Sequence, residues 1–482
     1  MTGEAEPRGA ARKVGHEDAG RGDAGRGAAA ELGEWIAALV PAEAGPARLD
    51  RMRGHLLDTL GVTVAGSGSE PARIARAVFD SRGDATVIEA GAADTERGAA
   101  GGCGAADGRG LADAAKCNAV AAHALELDDT EGCDHTGAVV VPAVLALAEG
   151  MEARPSGTDL LTAMVAGYEV GRRMQNALGG YEAHNESGWH STATCGVFAA
   201  AAACAKLLRL PGRRVAHALA IAASSAGGTW AFAADGAMVK RFHPAIAAGA
   251  GLEAARLAAR GATGPMPIFE DCWGGFFATH GNPDSRPSEL VAGLGSTWHA
   301  DHSAIKLYAC CRSAHATLDG VLELIGDGRL TRDNLRSATL TLSPFLARML
   351  CPSPVESIDA ARMSLPTGIA LALLGSPLSP EAFSRFARPE VAALREAVEV
   401  REDPEARVPS LVVRTDRGEF AVRRVEARGS QALPLTLEEI VRKFEWVTEP
   451  HLSDAGRAAL RAYALGLDDS PLPELPVLDG RA

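Results

Sequence analysis

Residues 123–142 read His-Ala-Leu-Glu-Leu-Asp-Asp-Thr-Glu-Gly-Cys-Asp-His-Thr-Gly-Ala-Val-Val-Val-Pro and join a cluster of acids to apolar flanks. Five acids and a threonine lie between Glu126 and Asp134, and His123 and His135 bracket them. Since the segments on both sides are almost wholly apolar, we expect these polar residues to line a cleft between buried helices. An acidic surface turn between two helices is the alternative interpretation.

The composition limits the size of the domains and the kind of partner. The chain has 482 residues, of which 47% are hydrophobic and only 5% aromatic. This length exceeds an ordinary single core, so two or three domains are expected. The net charge of −13 argues against a nucleic-acid partner, because binding to phosphates needs a basic surface. A local basic pocket for a small anion remains compatible with this charge.

Cysteine usage and hydropathy predict a cytoplasmic protein that does not enter a membrane. The nine cysteines form no CxxC pair, the adjacent Cys310-Cys311 is a poor disulfide candidate, and no Cys/His spacing resembles a zinc site. Residues 1–29 lack the apolar segment of a secretory signal and are expected to be a disordered tail. Residues 215–234 are uncharged and long enough to cross a membrane, but their many small residues favour buried helices broken at Gly227-Gly228.

The pattern of residues 30–290 predicts an all-helical domain, because apolar residues recur at three- and four-residue spacing. Helices are expected at residues 30–39, 49–64, 71–79, 111–127, 140–149, 157–178, 191–208, 213–234 (as a broken pair) and 245–260, and a short strand at 84–89. Pro142 is expected in the first turn of its helix, where a missing N–H costs least. The glycine-rich segment 98–110 lacks the third glycine of a dinucleotide fingerprint, so no nucleotide cofactor is expected.

After about residue 290 the pattern changes to that of a smaller α+β domain, residues 291–465. Strands are expected at 337–342, 408–415 and 419–427, the last two as a hairpin, with helices at 314–324, 361–374 and 389–397. Thr436-Leu-Glu-Glu439 is a capping box that opens a late helix, which we expect to pack on the helical domain. Residues 466–482 are predicted to be a loose tail. The fold class is therefore mainly α.

Three further polar segments interrupt apolar surroundings, at residues 184–194, 240–244 and 302–315. A helix cap, a solvated lysine and a structural histidine are the ordinary explanations of such residues taken singly. Taken together, cations and acid/base residues lie at helix edges, and no nucleophile elbow or phosphate-binding loop accompanies them. This combination indicates proton abstraction beside a carboxylate, in which cations hold the substrate and a His or Lys moves the proton.

In their order along the chain, these motifs resemble the MmgE/PrpD family over about residues 30–465. The resemblance rests on residues 123–130 with 135–142, and on 188–194, 240–244, 262–265, 305–315, 362–366 and 443–444. It implies a large all-helical domain with a smaller α+β lid domain, usually in a homodimer. It also implies small anionic di- or tricarboxylate substrates and no metal or other cofactor. Members include 2-methylcitrate dehydratase, cis-aconitate decarboxylase and iminodisuccinate epimerase.

The resemblance places the family's active-site threonine, two histidines and two lysines on residues of this chain. Together with the reasoning above, it gives as predicted catalytic residues His135, His190, Thr130, Glu126 and Asp129, and as predicted substrate-binding residues Lys240, Lys306 and Arg312. His135 is expected to be the general acid/base, with Glu126 and Asp129 favouring its protonated form. His190 is the alternative proton carrier.

Three positions depart from the family's pattern. Glu126 stands where Asp is usual, Thr367 where many members have Tyr, and Cys311 where the decarboxylase has a further His. These changes disfavour cis-aconitate decarboxylation and reshape the pocket of a dehydratase. The sequence predicts a metal-independent lyase that dehydrates a small hydroxy polycarboxylate such as 2-methylcitrate. An epimerase or decarboxylase of a related acid, or an inactive scaffold, are the alternatives.

Overall fold

The computed structural model describes residues 27–89 and 108–480. The predicted N-terminal tail up to residue 26, most of the glycine-rich segment with Cys103, and the last two residues lie outside this part of the chain. Within it, helices dominate and a single small sheet is formed late in the sequence, which confirms the mainly α fold class. None of the described helices is long and apolar enough to cross a membrane.

The first part of the chain folds into closely packed helices. They are α1 (Ala28–Ala38), α2 (Pro41–Ala44), α3 (Pro46–Gly66), α4 (Glu70–Val78), α5 (Leu111–His123), α6 (Thr136–Glu149), α7 (Gly157–Ala177), α8 (Gly180–Glu186), α9 (Ser191–Thr194), α10 (Gly196–Leu207), α11 (Gly212–Ala222), α12 (His243–Ala259) and α13 (Phe276–His280), with a short strand β1 (Arg82–Ala85). Small residues allow this closeness: a Cβ on Gly66 would lie 2.1 Å from the carbonyl oxygen of Ala121, so α3 touches α5 backbone to backbone.

The second part builds a four-stranded sheet and its helices. They are α14 (His315–Gly326), β2 (Leu335–Leu342), α15 (Pro344–Leu350), α16 (Ile358–Met363), α17 (Leu365–Leu373), α18 (Pro380–Phe383), α19 (Pro389–Glu396), β3 (Val398–Glu402), β4 (Ser410–Thr415), β5 (Gly418–Arg423), α20 (Leu437–Thr448) and α21 (Asp454–Leu465). The strand order is β3-β2-β4-β5, with β2 parallel to β3 and antiparallel to β4. Ala338, Leu340 and Leu342 alternate along β2 as buried residues and give the sheet one core face.

Several predicted helix boundaries are wrong. The helix predicted at 111–127 ends at His123, because Glu126 adopts a left-handed backbone with φ of 55°. The next helix begins earlier than predicted, at Thr136, which places Pro142 in its interior. The helix predicted at 191–208 is divided between Thr194 and Gly196.

The predicted break at Gly227-Gly228 is present, and Gly228 has φ of 84°. A 3-10 turn comes after this break, in place of the second α-helix of the predicted pair. The described 3-10 turns are Ala223–Ser225, Trp230–Ala234, Met238–Phe242, Pro287–Leu290, His299–His302 and Arg312–Ala314.

The last helices return to the first part of the chain, as predicted for the late helix. The Thr436 hydroxyl accepts a hydrogen bond from the Glu439 backbone N–H, and the Glu439 carboxylate accepts one from the Thr436 N–H at 2.8 Å, which confirms the capping box. The prediction of a loose tail is wrong for residues 466–480. Leu472 is buried there, and its backbone N–H donates to the Pro155 carbonyl at 2.7 Å.

Candidate active site

The acidic segment forms a buried loop between α5 and α6. Glu126, Glu131 and Asp134 have φ of 55°, 65° and 85°, a left-handed conformation that costs a non-glycine residue about 1–3 kcal/mol. Two backbone hydrogen bonds help to hold the loop: the N–H of Thr130 donates to the Ala304 carbonyl at 2.8 Å, and the reverse bond is 2.7 Å long. The polar residues therefore line a buried site rather than an acidic surface turn.

Glu126 is the centre of a cationic cluster. Its carboxylate is 2.5 Å from the ammonium of Lys240, 3.0 Å from that of Lys306, and hydrogen-bonded to the guanidinium of Arg241. Burial would raise the pKa of this carboxyl, but the charges of Lys240, Lys306 and Arg241 hold it well below its usual range. The structure thus brings the two predicted substrate-binding lysines together, around a carboxylate that the protein itself supplies.

His135 is oriented by Asp128. Its Nδ1 lies 2.8 Å from an Asp128 oxygen, and the Nδ1 of His123 lies 3.1 Å from the same carboxylate. The Nε2 of His123 faces an Arg241 N–H at 3.5 Å, and since arginine only donates, that nitrogen accepts. His123 therefore donates to Asp128 through Nδ1. Despite burial, the two imidazoles hold the pKa of Asp128 well below its usual range.

The predicted role of Asp129 beside His135 is wrong. Asp129 turns to the opposite side of the loop, where its carboxylate lies 2.9 Å from the Nδ1 of His55 and accepts hydrogen bonds from the Tyr168 hydroxyl at 2.5 Å and the Gly137 N–H at 2.6 Å. The physical reason is that His55 on α3, Tyr168 on α7 and the Gly137 N–H together satisfy its buried carboxylate there. Asp128 therefore contacts His135 on one side of the loop, and Asp129 contacts His55 and Tyr168 on the other.

The carboxylate of Asp134 contacts three of the predicted catalytic residues. One of its oxygens lies 3.6 Å from the Nε2 of His135 and accepts a hydrogen bond from the Thr130 hydroxyl at 3.3 Å. The other lies 3.4 Å from the Nε2 of His190. Burial lowers the pKa of His190 to about 4, although Asp134 acts in the opposite direction. Thr130, His135 and His190 thus surround a carboxylate that the sequence prediction had not selected.

Arg312 lies outside this cluster and contacts neighbouring loops. Its Nε donates to Glu131 at 2.7 Å, and its other two nitrogens donate to the carbonyls of Arg428 and Ala427. These bonds use three of its five N–H groups, so its role in binding a substrate carboxylate stays a prediction.

The other two departing positions, Cys311 and Thr367, are both buried. Cys311 is buried, and the charges of Lys240, Glu126 and Lys306 act on its thiol, whose pKa is raised by burial. Thr367 is fully buried, and its hydroxyl has no hydrogen-bond partner among residues 27–89 and 108–480. Both side chains are smaller than the His and Tyr that the family resemblance implies there.

The site contains two groups of possible metal ligands, His123 with Asp128 and His135, and Asp134 with His135 and His190. In each group the ligand atoms lie within 4.8 Å of one another. The three cationic side chains around Glu126 oppose the addition of a divalent cation so close by. The arrangement therefore fits proton transfer beside a bound anion better than metal ligation.

Sequence reasoning missed four residues of this cluster: His123, Asp128, Asp134 and Arg241. The first three lie in the loop that the sequence had marked as important, and Arg241 lies in the 240–244 motif beside Lys240. No local pattern in the loop separates Asp128 from Asp129.

Fold and site together define a mainly α-helical protein whose two parts meet at a buried cluster of carboxylates, imidazoles and ammonium groups. The chain belongs to the MmgE/PrpD family: residues 30–288 match the MmgE/PrpD N-terminal domain and residues 308–469 the C-terminal domain. This confirms the resemblance seen in the sequence and places the chain in a carboxylate-acting family of lyase type.

Several relatives are named after one activity, the decarboxylation of cis-aconitate. The chain is 33% identical to the cis-aconitate decarboxylase-like protein oryM of Aspergillus oryzae over 65% of this chain and 66% of that protein. It is 32% identical to the cis-aconitate decarboxylase of Aspergillus terreus over 75% of this chain and 80% of that protein. For the cis-aconitate decarboxylase of Homo sapiens the identity is 30%, over 69% of this chain and 71% of that protein.

Proposed function

We propose that this protein is a lyase that moves a proton at a carbon next to a carboxylate in a small di- or tricarboxylate. The observation that carries the proposal is the Asp128–His135 pair, whose outer nitrogen, Nε2, points towards the Lys240–Glu126–Lys306 cluster, with 3.6 Å between that nitrogen and the Glu126 carboxylate. An oriented imidazole beside two buried ammonium groups is suited to acid/base chemistry on an anion.

Each residue has a definite task in this proposal. The ammonium groups of Lys240 and Lys306 bind a substrate carboxylate and stabilise the negative charge that develops when its neighbouring carbon loses a proton. Asp128 holds the Nδ1 proton of His135, so that Nε2 exchanges the proton with the substrate. His190, 6.3 Å from His135 between ring centroids, is the second proton carrier.

The first candidate reaction is dehydration of a hydroxy polycarboxylate such as 2-methylcitrate. The presence of two imidazoles, His135 and His190, with ring centroids 6.3 Å apart supports it. Dehydration needs one group to take the carbon-bound proton and another to protonate the departing hydroxyl. Cys311, whose thiol lies near Lys240 and Lys306, stands where the resemblance implies a further His of the decarboxylase, which disfavours decarboxylation.

The second candidate is decarboxylation of an acid related to cis-aconitate. The names of the relatives support it, since each of those compared above is a cis-aconitate decarboxylase or a decarboxylase-like protein. Epimerisation of a dicarboxylate such as iminodisuccinate uses the same proton abstraction without loss of a group. For each reaction we propose that the protein acts in the cytoplasm as a homodimer without a metal or other cofactor, as the family resemblance implies.

One experiment separates these reactions. The purified protein is incubated in D₂O with 2-methylcitrate, citrate, cis-aconitate and iminodisuccinate, and the products are followed by NMR. A new alkene identifies dehydration, loss of CO₂ identifies decarboxylation, and deuterium at the α-carbon alone identifies epimerisation. His135→Gln should lower the rate at least about 100-fold. Inertness of the unmodified protein towards all four acids would overturn the proposal.

A further inference from the structure

His243, the first residue of α12, pairs with His190 behind the site. The Nδ1 atoms of the two rings are 2.8 Å apart, and the side chains are 4% and 0% exposed. At this distance two N–H groups would clash and two lone pairs would repel, so one proton is shared between the two nitrogens. His243 is absent from the residues assigned to the reaction above.

The surroundings of this pair disfavour a positive charge. The rings of Trp230 and Phe232 stand edge-on to His190, with centroids at 5.2 and 5.4 Å, and Phe232 also packs on His243 at 5.8 Å. Burial lowers the pKa of His243 to about 3 and that of His190 to about 4, and the nearby charge of Lys240 acts in the same direction. Asp134 is the charged group that acts against them, on the Nε2 side of His190.

We infer that His243 is a positioning and proton-relay residue for His190, an inference that rests on the proposed proton transfer. In the starting state the Nε2–H of His190 faces the Asp134 carboxylate, and the Nδ1–H of His243 donates to the lone pair on Nδ1 of His190. His190 then gives its Nε2 proton to the substrate, whose electron pair receives it: on the oxygen of a departing hydroxyl in dehydration, or on the carbon left by CO₂ in decarboxylation.

The proton on Nδ1 of His243 then passes to Nδ1 of His190, and a proton from water joins Nε2 of His243. One proton enters and one leaves, so both rings stay neutral and only their tautomers are exchanged. The Nε2 of His243 has no hydrogen-bond partner among the residues that the structure describes, and the side chain keeps a small exposed fraction. The relay therefore ends at an atom available to water.

The first test is independent of any substrate. The full-length protein is labelled with ¹⁵N-histidine, and the ring nitrogens of His190 are assigned with His190→Gln. His243→Asn should fix His190 in a single tautomer, whereas the unmodified protein should show both tautomers in exchange. The matched control is His217→Asn, a buried histidine of α11 that lies 3.2 Å from the Gly264 carbonyl. An unchanged His190 spectrum in His243→Asn would overturn the relay.

The second test uses whichever of 2-methylcitrate, citrate or cis-aconitate the unmodified protein converts. His243→Asn should lower kcat about 10-fold or more with little change in KM, and should increase the solvent deuterium isotope effect. Added imidazole should restore part of the rate to His243→Gly. A kcat within twofold of that of His217→Asn would contradict the relay. Inertness of the unmodified protein would instead refute the proposed function and leave the relay to the NMR measurement.

Discussion

Glu126 occupies the place where a substrate carboxylate would be expected, between the ammonium groups of Lys240 and Lys306. It is 1% exposed, and its left-handed backbone aims a side chain one methylene longer than Asp directly at both cations. The carboxylate of Glu126 thus occupies the anion site when no substrate is bound. A substrate carboxylate must share the lysines with Glu126 or displace it.

Glu126→Gln should therefore destabilise the protein, because two lysines and Arg241 would be left buried without their shared counter-charge. We expect a loss of about 3–5 kcal/mol in the free energy of unfolding, measured by urea denaturation. Citrate should raise the melting temperature of this variant more than that of the unmodified protein, since an external carboxylate can fill the vacant position.

Glu126→Asp is the matched control, because it keeps the charge and withdraws the carboxylate by about 1.5 Å. It should remain close to the unmodified protein in stability and bind citrate more tightly by calorimetry. Equal citrate binding by all three proteins would contradict the idea that Glu126 competes for the anion site.

Asp128→Asn tests the orientation of His135. The substitution removes the charge that holds the Nδ1 proton, so the outer nitrogen loses the tautomer needed to exchange a proton with the substrate. We expect kcat to fall about 100-fold or more, with a smaller change in KM, in steady-state kinetics.

The neighbouring Asp129→Asn is the control, because Asp129 binds His55 and Tyr168 on the other side of the loop. It should reduce the melting temperature more than the rate per folded molecule. The reverse pattern, with Asp129→Asn losing more of kcat than Asp128→Asn, would reverse the assignment.

At the scale of elements, α20 is attached to the helical domain through a buried ion pair. The ammonium of Lys443 lies 2.6 Å from Asp58 on α3 and donates to the Leu127 carbonyl at 2.7 Å. Burial raises the pKa of Asp58 from 3.8 to about 6, although Lys443 lowers it in part. α20 therefore supports the active-site loop directly, one residue after Glu126.

Lys443→Met should lower stability at pH 7 by about 3–5 kcal/mol, because it leaves Asp58 buried and charged without a partner. An acid whose pKa is higher in the folded state binds protons more tightly when folded, so its contribution to stability falls as pH rises from 3.8 to about 6 and is constant above. The difference in the free energy of unfolding between the variant and the unmodified protein should therefore be smaller at pH 5 than at pH 7. Urea unfolding at both pH values measures it.

Arg442→Met is the control for this helix. Arg442 is 65% exposed and pairs with Glu438 along the helix surface, so its loss should change stability by no more than about 0.5 kcal/mol at either pH. If Lys443→Met instead lost more free energy of unfolding at pH 5 than at pH 7, Asp58 would not be the group left unpaired.

The sequence predicted elements well where the signal is local and poorly where a distant contact decides. Thr436 and Glu439 cap α20 through contacts within one helical turn, which a spacing of three residues reveals. The end of α5 depends instead on Glu126 reaching Lys306, 180 positions away. The order of the tail depends on Leu472 bonding to Pro155. No local pattern contains either contact.

The same distinction holds for the site. The motifs identified Lys240 and Lys306, and the structure brings both to one carboxylate. Which of two adjacent acids would orient His135 depended on the direction in which each side chain leaves the loop. Arg312 belonged to a predicted motif, but besides Glu131 its partners are the backbone carbonyls of residues 427–428, which carry no motif.

At the scale of the whole molecule, the site is closed. Lys306 and His190 have no exposed surface, and the cavity beside Lys240 holds only about 10 Å³, about the room of one water molecule. Arg241 spans the two parts of the protein at this point, since its guanidinium donates to Asp359 on α16 at 2.8 and 2.6 Å. We therefore expect a substrate to enter by separation of residues 238–243 from α16.

Asp359→Asn should ease this separation by removing the charge that holds Arg241. Amide hydrogen exchange of the segments 238–243 and 358–363 should become about tenfold faster or more, because local opening costs less free energy. Asp327→Asn, at an exposed pair with Arg329 in the same part of the chain, serves as control. Unchanged exchange in Asp359→Asn would mean that this ion pair does not restrain opening.

The hydrogen bond from Lys443 to the Leu127 carbonyl also affects the order in which the protein can fold during translation. The helix that supports the loop with His135 is synthesised long after it, because Lys443 lies 316 positions after Leu127. A nascent chain can therefore assemble its first helices and still lack the bond that holds this loop. The acid/base groups of the site are completed only after α20 has been added.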